Sequence, residues 1–266
     1  MVLPGELWTL SWDATTLGHA MISAVKQDYV LAWPVTMPGE VSFRPGILID
    51  SPLGYPVTAW PTRETGIGNH LLGEAVGDLL SVETVRSISS SLDSDEEPSE
   101  VIWVEGWGTE FEEAQFASRW TDICLHTGRE DDSQRFLSEP RLRAIGGKAA
   151  TVQAVLQLDP EQTRSAWLGE TPLDPDQVAS LARALDAEPE DFLGPDPAIG
   201  LWLELAKPTF KRDVLETAAS AALPEAEVRL VASRDAYALA ARDDSTARTH
   251  QKLRDALRRI ARGASH

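Results

Sequence analysis

Over the first 90 residues the apolar positions come in short runs, at 7–12, 20–25, 29–35, 46–49 and 57–60, broken by Met37-Pro-Gly39, Arg44-Pro-Gly46 and Ser51-Pro-Leu-Gly54. Runs too short for helices and bounded by turn residues predict five strands, arranged as a small barrel or sandwich. Residues 89–100 (SSSLDSDEEPSE) are polar, acidic and aperiodic, which predicts a linker or exposed loop. Beyond it the pattern predicts one more strand at 101–104 and a helix at 110–124 with Phe111, Phe116 and Trp120 on its apolar face. A second polar break at 128–134 precedes a half in which apolar residues recur every three or four positions and strand-like runs all but vanish after Lys148.

Helix starts in this second half are marked twice, 15 residues apart, by Leu158-Asp159-Pro160-Glu161-Gln162 and Leu173-Asp174-Pro175-Asp176-Gln177. An Asp can cap the free N–H groups, a Pro suits the first helical position, and a Gln three residues on can bond back to the cap. Together with Gly169 as a left-handed stop, the pattern predicts helices at 160–168 and 175–185, the latter with Val178, Leu181 and Leu185 as its stripe. Three more helices are predicted at 210–222, 224–242 and 245–262. The last carries Leu253, Leu257 and Ile260 on one side and Lys252, Arg254, Arg258, Arg259 and Arg262 around the others, a basic surface suited to a phosphate backbone or an acidic partner. The resulting fold class is α+β, with regions at 1–90 (β-barrel), 91–134 (acidic linker with a short strand and helix), 135–200 (helix-turn-helix) and 201–266 (helical extension).

Charge limits the function classes. The net charge is −18 over 266 residues, which argues against a general nucleic-acid coat. It is unevenly spread: residues 1–100 carry −10, 101–140 carry −6, 141–200 carry −5 and only 201–266 are basic, at +3. Seven of the nine tryptophans fall in the first 120 residues, as core and inter-strand packing or, singly, as stacking platforms. The lone Cys124 excludes an internal disulfide and a cysteine zinc site, and the histidines never fall at metal-ligand spacing, so neither metal nor cofactor is expected. No apolar run is long enough for a membrane span and no signal-like start is visible, so a cytoplasmic protein is expected.

Residues 148–194 resemble the Cro/XRE-type helix-turn-helix of phage repressors and antitoxins: a helix at 149–157, a turn, a recognition helix at 160–168, a Gly-containing turn, a helix at 175–185 and a closing Pro189-Glu-Asp-Phe-Leu turn. The resemblance implies that Gln162, Thr163, Arg164 and Ser165 face the major groove of an operator, with Lys148 near the backbone and a homodimer supplying the second half-site. Glu161, Asp159 and Glu170 flank that helix, so added affinity would have to come from dimerisation or from the basic surface of Lys252, Arg254, Arg258 and Arg259.

At the other end, Gly5-Glu-Leu-Trp8, Val30-Leu-Ala-Trp-Pro-Val-Thr36, Gly77-Asp-Leu-Leu and Glu83-Thr-Val-Arg-Ser-Ile88 follow the order of motifs in the MazF/PemK toxins. The resemblance implies an SH3-like barrel and, in its active form, ribonuclease chemistry in which Arg and Ser or Thr manage protons and phosphorane charge. Thr36 matches the threonine, but Gly18-His19-Ala20 stands where the family has Arg-Pro, leaving His19 as the substitute base. The reading is therefore a DNA-binding regulator of toxin–antitoxin or phage-related type that acts by binding, with a protein partner engaged through its acidic surface or barrel. Two alternatives stay open: an endoribonuclease using Thr36 and His19, and an acidic protein-interaction adaptor.

Overall fold

The computed structural model describes residues 1–94, 96–98, 101–126, 128–129, 135–240 and 249–263. In chain order these form β1 (Glu6–Trp12), β2 (Thr15–Val25), β3 (Tyr29–Thr36), β4 (Ile47–Asp50), β5 (Pro56–Ala59), β6 (Thr65–Gly68), β7 (Leu72–Asp78), α1 (Val82–Asp93), β8 (Ile102–Trp103) and α2 (Glu110–Cys124). There follow β9 (Phe136–Leu137), α3 (Glu139–Ala144), α4 (Ala149–Leu156), α5 (Pro160–Trp167), α6 (Pro175–Leu185), β10 (Leu193–Gly194), α7 (Ile199–Ala206), α8 (Pro208–Ala221), α9 (Glu225–Ala240) and α10 (Thr249–Gly263). The chain divides into two compact units, residues 1–128 with 206–215 and residues 129–205 with 216–266.

The first unit is an antiparallel sheet in the order β7-β1-β2-β3-β5-β4-β8, and β3 is shared along its length. Tyr29 to Ala32 pair with β6, while Val35 and Thr36 pair with β5. The ladder ends at β7 and β8 without closing among the described residues, so the α+β class holds while the sheet is open where a barrel is expected. Along β1 to β3 both faces contribute to buried cores. Leu7, Met21, Trp33 and Val35 point into one core with Val85 and Ile88 of α1, and Trp8, Ala20, Ile22 and Ala32 into another with Trp120 and Ile123 of α2. Two covered faces explain why β3 reads as an unbroken apolar run from Val30 to Val35 rather than an alternating one.

Residues 89–93, expected to belong to a linker, complete α1, because Leu92 packs on the first core. Residues 95, 99 and 100 of that segment lie outside the described residues. Gly5 shows why the chain opens as it does. Its φ of +93° and a Cβ position only 2.0 Å from Leu80 O admit no side chain, while its N–H donates to Ile22 O and its carbonyl accepts from Leu79 N. Early in α8, Lys211 Nζ donates to Ser11 O at 2.8 Å and His70 O at 2.9 Å, satisfying a buried ammonium with backbone carbonyls.

In the second unit, α3 to α6 enclose Leu142, Val152, Ala166, Leu181 and Phe192, closed on one side by the two-residue β9–β10 pair. This pair, α3 and α7 are additions to the expected pattern. The last helices follow it: α10 buries Leu253, Ala256 and Leu257, and α9 buries Val228, Ala232 and Ala236. Residues 130–134, 241–248 and 264–266, which include parts of the second polar break and of the last two expected helices, lie outside the described residues.

Candidate functional site

Two places concentrate the chemistry expected from sequence. In the helical unit, both cap signals operate as reciprocal pairs. Asp159 Oδ1 accepts from Gln162 N at 2.8 Å while Gln162 Oε1 accepts from Asp159 N at 3.1 Å. Asp174 and Gln177 repeat the arrangement at 2.8 and 3.1 Å. Gly169, at φ +71°, ends the first of these helices, with its N–H donating to Ala166 O and that of Glu170 to Ser165 O. These local bonds set α5 and α6 across a short turn, and α4 shares their core through Val152.

The surface of α5 is narrower than the sequence implies. Gln162 and Arg164 are exposed, and Lys148, the N-cap of α4, is exposed as well. Thr163 is only 6% exposed, and its hydroxyl donates to Asp159 O at 2.7 Å, so this side chain is a core group and not a groove contact. Ser165 is half-buried and shares a 2.7 Å hydrogen bond with Thr171. Glu161 and Glu170 line the same depression as Arg164, which leaves the surface mixed in sign. On α10, Arg254, Arg258 and Arg259 are exposed and Lys252 is half-buried; Arg258 pairs with Asp255 at 3.0 Å.

In the sheet unit, His19 on β2 and Thr36 at the end of β3 line one cleft of about 460 Å³. Register places His19 opposite Val35, the neighbour of Thr36. The cleft also contains Arg119 of α2 and Glu40 of the loop after β3. Arg119 Nη1 donates to Glu40 Oε1 at 3.1 Å and Nη2 to Leu17 O at 3.3 Å. An arginine is thus present beside His19 and Thr36, supplied by a helix far along the chain. Its neighbours Phe116 and Trp120 are buried and turn Arg119 to the rim. Spacing alone carries no trace of that approach.

Burial holds the His19 imidazole below its ordinary value, with Glu40 pulling it up and Arg119 pushing it down. A neutral imidazole can accept a proton. Thr36 is 7% exposed and donates its hydroxyl proton to Val41 O at 2.7 Å, which fixes the side chain. A base, a guanidinium, a hydroxyl and a carboxylate therefore share one concavity, although the Arg119–Glu40 pair cancels much of its local charge.

Burial pushes the Cys124 thiol up to about 11, as for an inert, small apolar group. Among the described residues no group of His, Cys, Asp and Glu could hold a metal ion, and no helix is long and apolar enough to cross a membrane. Comparison with protein-family models, with curated proteins and with solved structures finds no match to this chain.

Proposed function

We propose that this chain is a DNA-binding regulator whose helical unit docks on an operator through α5, as a homodimer. The observation that carries the reading is the pair of reciprocal caps, which aligns α5 and α6 across the Gly169 turn and leaves Gln162 and Arg164 exposed on α5. Lys148 approaches the backbone, and Arg254, Arg258 and Arg259 supply further cations. The sheet unit, an opened relative of the SH3-like barrel of MazF/PemK toxins, serves as the module for a protein partner, with its acidic surface as the electrostatic lure. The setting is a toxin–antitoxin or phage-related one.

The test is binding of the full chain to its own upstream DNA and to random DNA at two salt concentrations. Preference for the upstream fragment that falls with salt and is lost in Arg164→Ala supports the reading. Equal or absent binding overturns it. Two further variants narrow the interface: Thr163→Val, at a buried site, leaves DNA affinity unchanged, whereas Gln162→Ala lowers it.

The second reading, an endoribonuclease, is favoured by the convergence of His19, Thr36 and Arg119 in one cleft. There His19 would take the proton of a ribose 2′-hydroxyl and Arg119 would face the developing phosphorane charge. RNA cleavage lost in both His19→Ala and Arg119→Ala supports it. A chain that binds no DNA and cleaves no RNA, but co-purifies with a protein encoded nearby, is the adaptor.

A further inference from the structure

The helical unit contains a second concavity, of about 870 Å³, lined by Arg129, Arg135 and Arg141 against Glu190 and Asp196. Leu173, Val178 and Ile199 give it apolar walls. Asp196 is 8% exposed and already committed: Oδ2 accepts from Arg129 Nη2 at 2.9 Å, and Oδ1 accepts from Ala198 N at 2.8 Å, just before α7. Arg234 lies in the field of the same Asp196 and Arg129 and stacks 5.4 Å from the centroid of Phe136. Among the described residues that line this cleft, three guanidinium groups stand with two carboxylates, and Arg129 is already paired with Asp196.

Arg141 is the best placed of them. Its Nη1 donates to Leu193 O at 2.6 Å and to Glu190 O at 3.1 Å, so two backbone carbonyls fix the plane of the guanidinium. Its Nη2 and Nε make no hydrogen bond among the described residues. A fixed, planar donor fork matches the paired oxygens of a phosphate or carboxylate. Because the side chain is already ordered, binding costs less rotamer entropy. A concavity of this size with apolar walls and a few convergent polar groups has the character of a small-molecule site.

We propose that this cleft binds a small organic anion, a phosphate or carboxylate head on a body that packs against Leu173, Val178 and Ile199, with Arg141 as the principal contact. The site does not rest on the DNA-binding reading, since its ligand is held in a cleft and not along α5.

The test is calorimetric titration of the full chain with adenosine monophosphate, with citrate and with uncharged adenosine. Saturable binding of either anion, without comparable binding of adenosine, supports the site; which of the two binds identifies the head as phosphate or carboxylate. Arg141→Ala then weakens binding by about tenfold or more, the effect of losing a charge-assisted hydrogen bond. Arg164→Ala, which removes the same charge on α5, leaves it unchanged. Circular dichroism verifies that the variants are folded, and should Arg141→Ala not fold, Arg141→Lys keeps the charge but loses the fork and weakens binding in the same direction. No saturable binding of either anion at millimolar concentration, adenosine binding as well as the monophosphate, or equal loss in the Arg141 and Arg164 variants overturns the proposal.

Discussion

The Glu225–Arg229 pair offers the sharpest test of how the helical unit is held together. Both side chains are fully buried, one turn apart at the start of α9. Arg229 Nε and Nη2 donate to Glu225 Oε1 at 3.0 and 2.6 Å, and Nη1 donates to Leu205 O at the end of α7. Burial pulls the guanidinium below its ordinary value, and Glu225 opposes that pull. Truncation in Glu225→Ala leaves a buried cation facing, among the described residues, the Leu205 carbonyl alone, a loss of about 3–5 kcal/mol. For a domain whose total stability is about 5–15 kcal/mol, that is a large share. Loss of an acidic group at the N-terminus of α9 accounts for only about 0.3–1 kcal/mol of it. The double replacement E225L/R229M removes both charges at similar volume and regains most of the loss. The assay is urea unfolding followed by far-ultraviolet circular dichroism, with the helical transition fitted separately because the chain has two units. A loss below about 1 kcal/mol in Glu225→Ala would refute the argument that an unpaired buried charge governs the cost. A double variant as unstable as the single one would assign the loss to packing instead.

Three other outcomes are expected. Because the His19 imidazole binds a proton less tightly folded than unfolded, stability is undiminished above the unfolded value near 6.5 and falls as pH drops through the window beneath it. His19→Asn should flatten melting temperature between pH 7 and pH 5, and an unchanged slope would show that another group governs it. Asp159→Ala and Asp174→Ala each cost about 1 kcal/mol by denaturant unfolding, whereas Asp176→Ala, an acidic first-turn residue outside the cap, costs only a few tenths. Equal losses at all three positions would mean that first-turn charge and not the cap bond matters. Cys124 should react slowly with a thiol reagent at pH 8 and quickly in denaturant, since a thiol at about 11 is almost wholly protonated there; fast labelling of the folded chain would contradict its burial.

What could be read directly from sequence was local. The Asp-Pro-x-Gln signals and Gly169 specified α5 and α6 because caps and stops act within one turn of the residues that encode them. Strand β3 was visible because it is a continuous apolar run between turns, and β1 because Leu7, Trp8, Leu10 and Trp12 crowd into one short segment. By contrast, β6 and β7 carry glycines and polar residues, and they are strands only because β3 and β1 offer them free edges. The same dependence hid α1, whose polar half continues as helix because Val85, Ile88 and Leu92 lie on the first core.

The sites divide in the same way. Thr36 and His19 became candidates through the resemblance to the MazF/PemK toxins, and Lys148, Gln162 and Arg164 through the resemblance to Cro/XRE-type helix-turn-helix proteins. Thr163 could not be separated from its neighbours until the packing of α5 turned its hydroxyl inward. Arg119, Glu40 and the arginines around Asp196 come from positions scattered along the chain, and they meet only when helices and loops dock. Sequence by itself determined where α5 and α6 start and where Gly169 stops the first of them, since those depend on neighbours within a few residues. The tertiary structure alone decided which edges pair, which faces are covered and which charges converge, because those depend on contacts between residues that are distant in the chain.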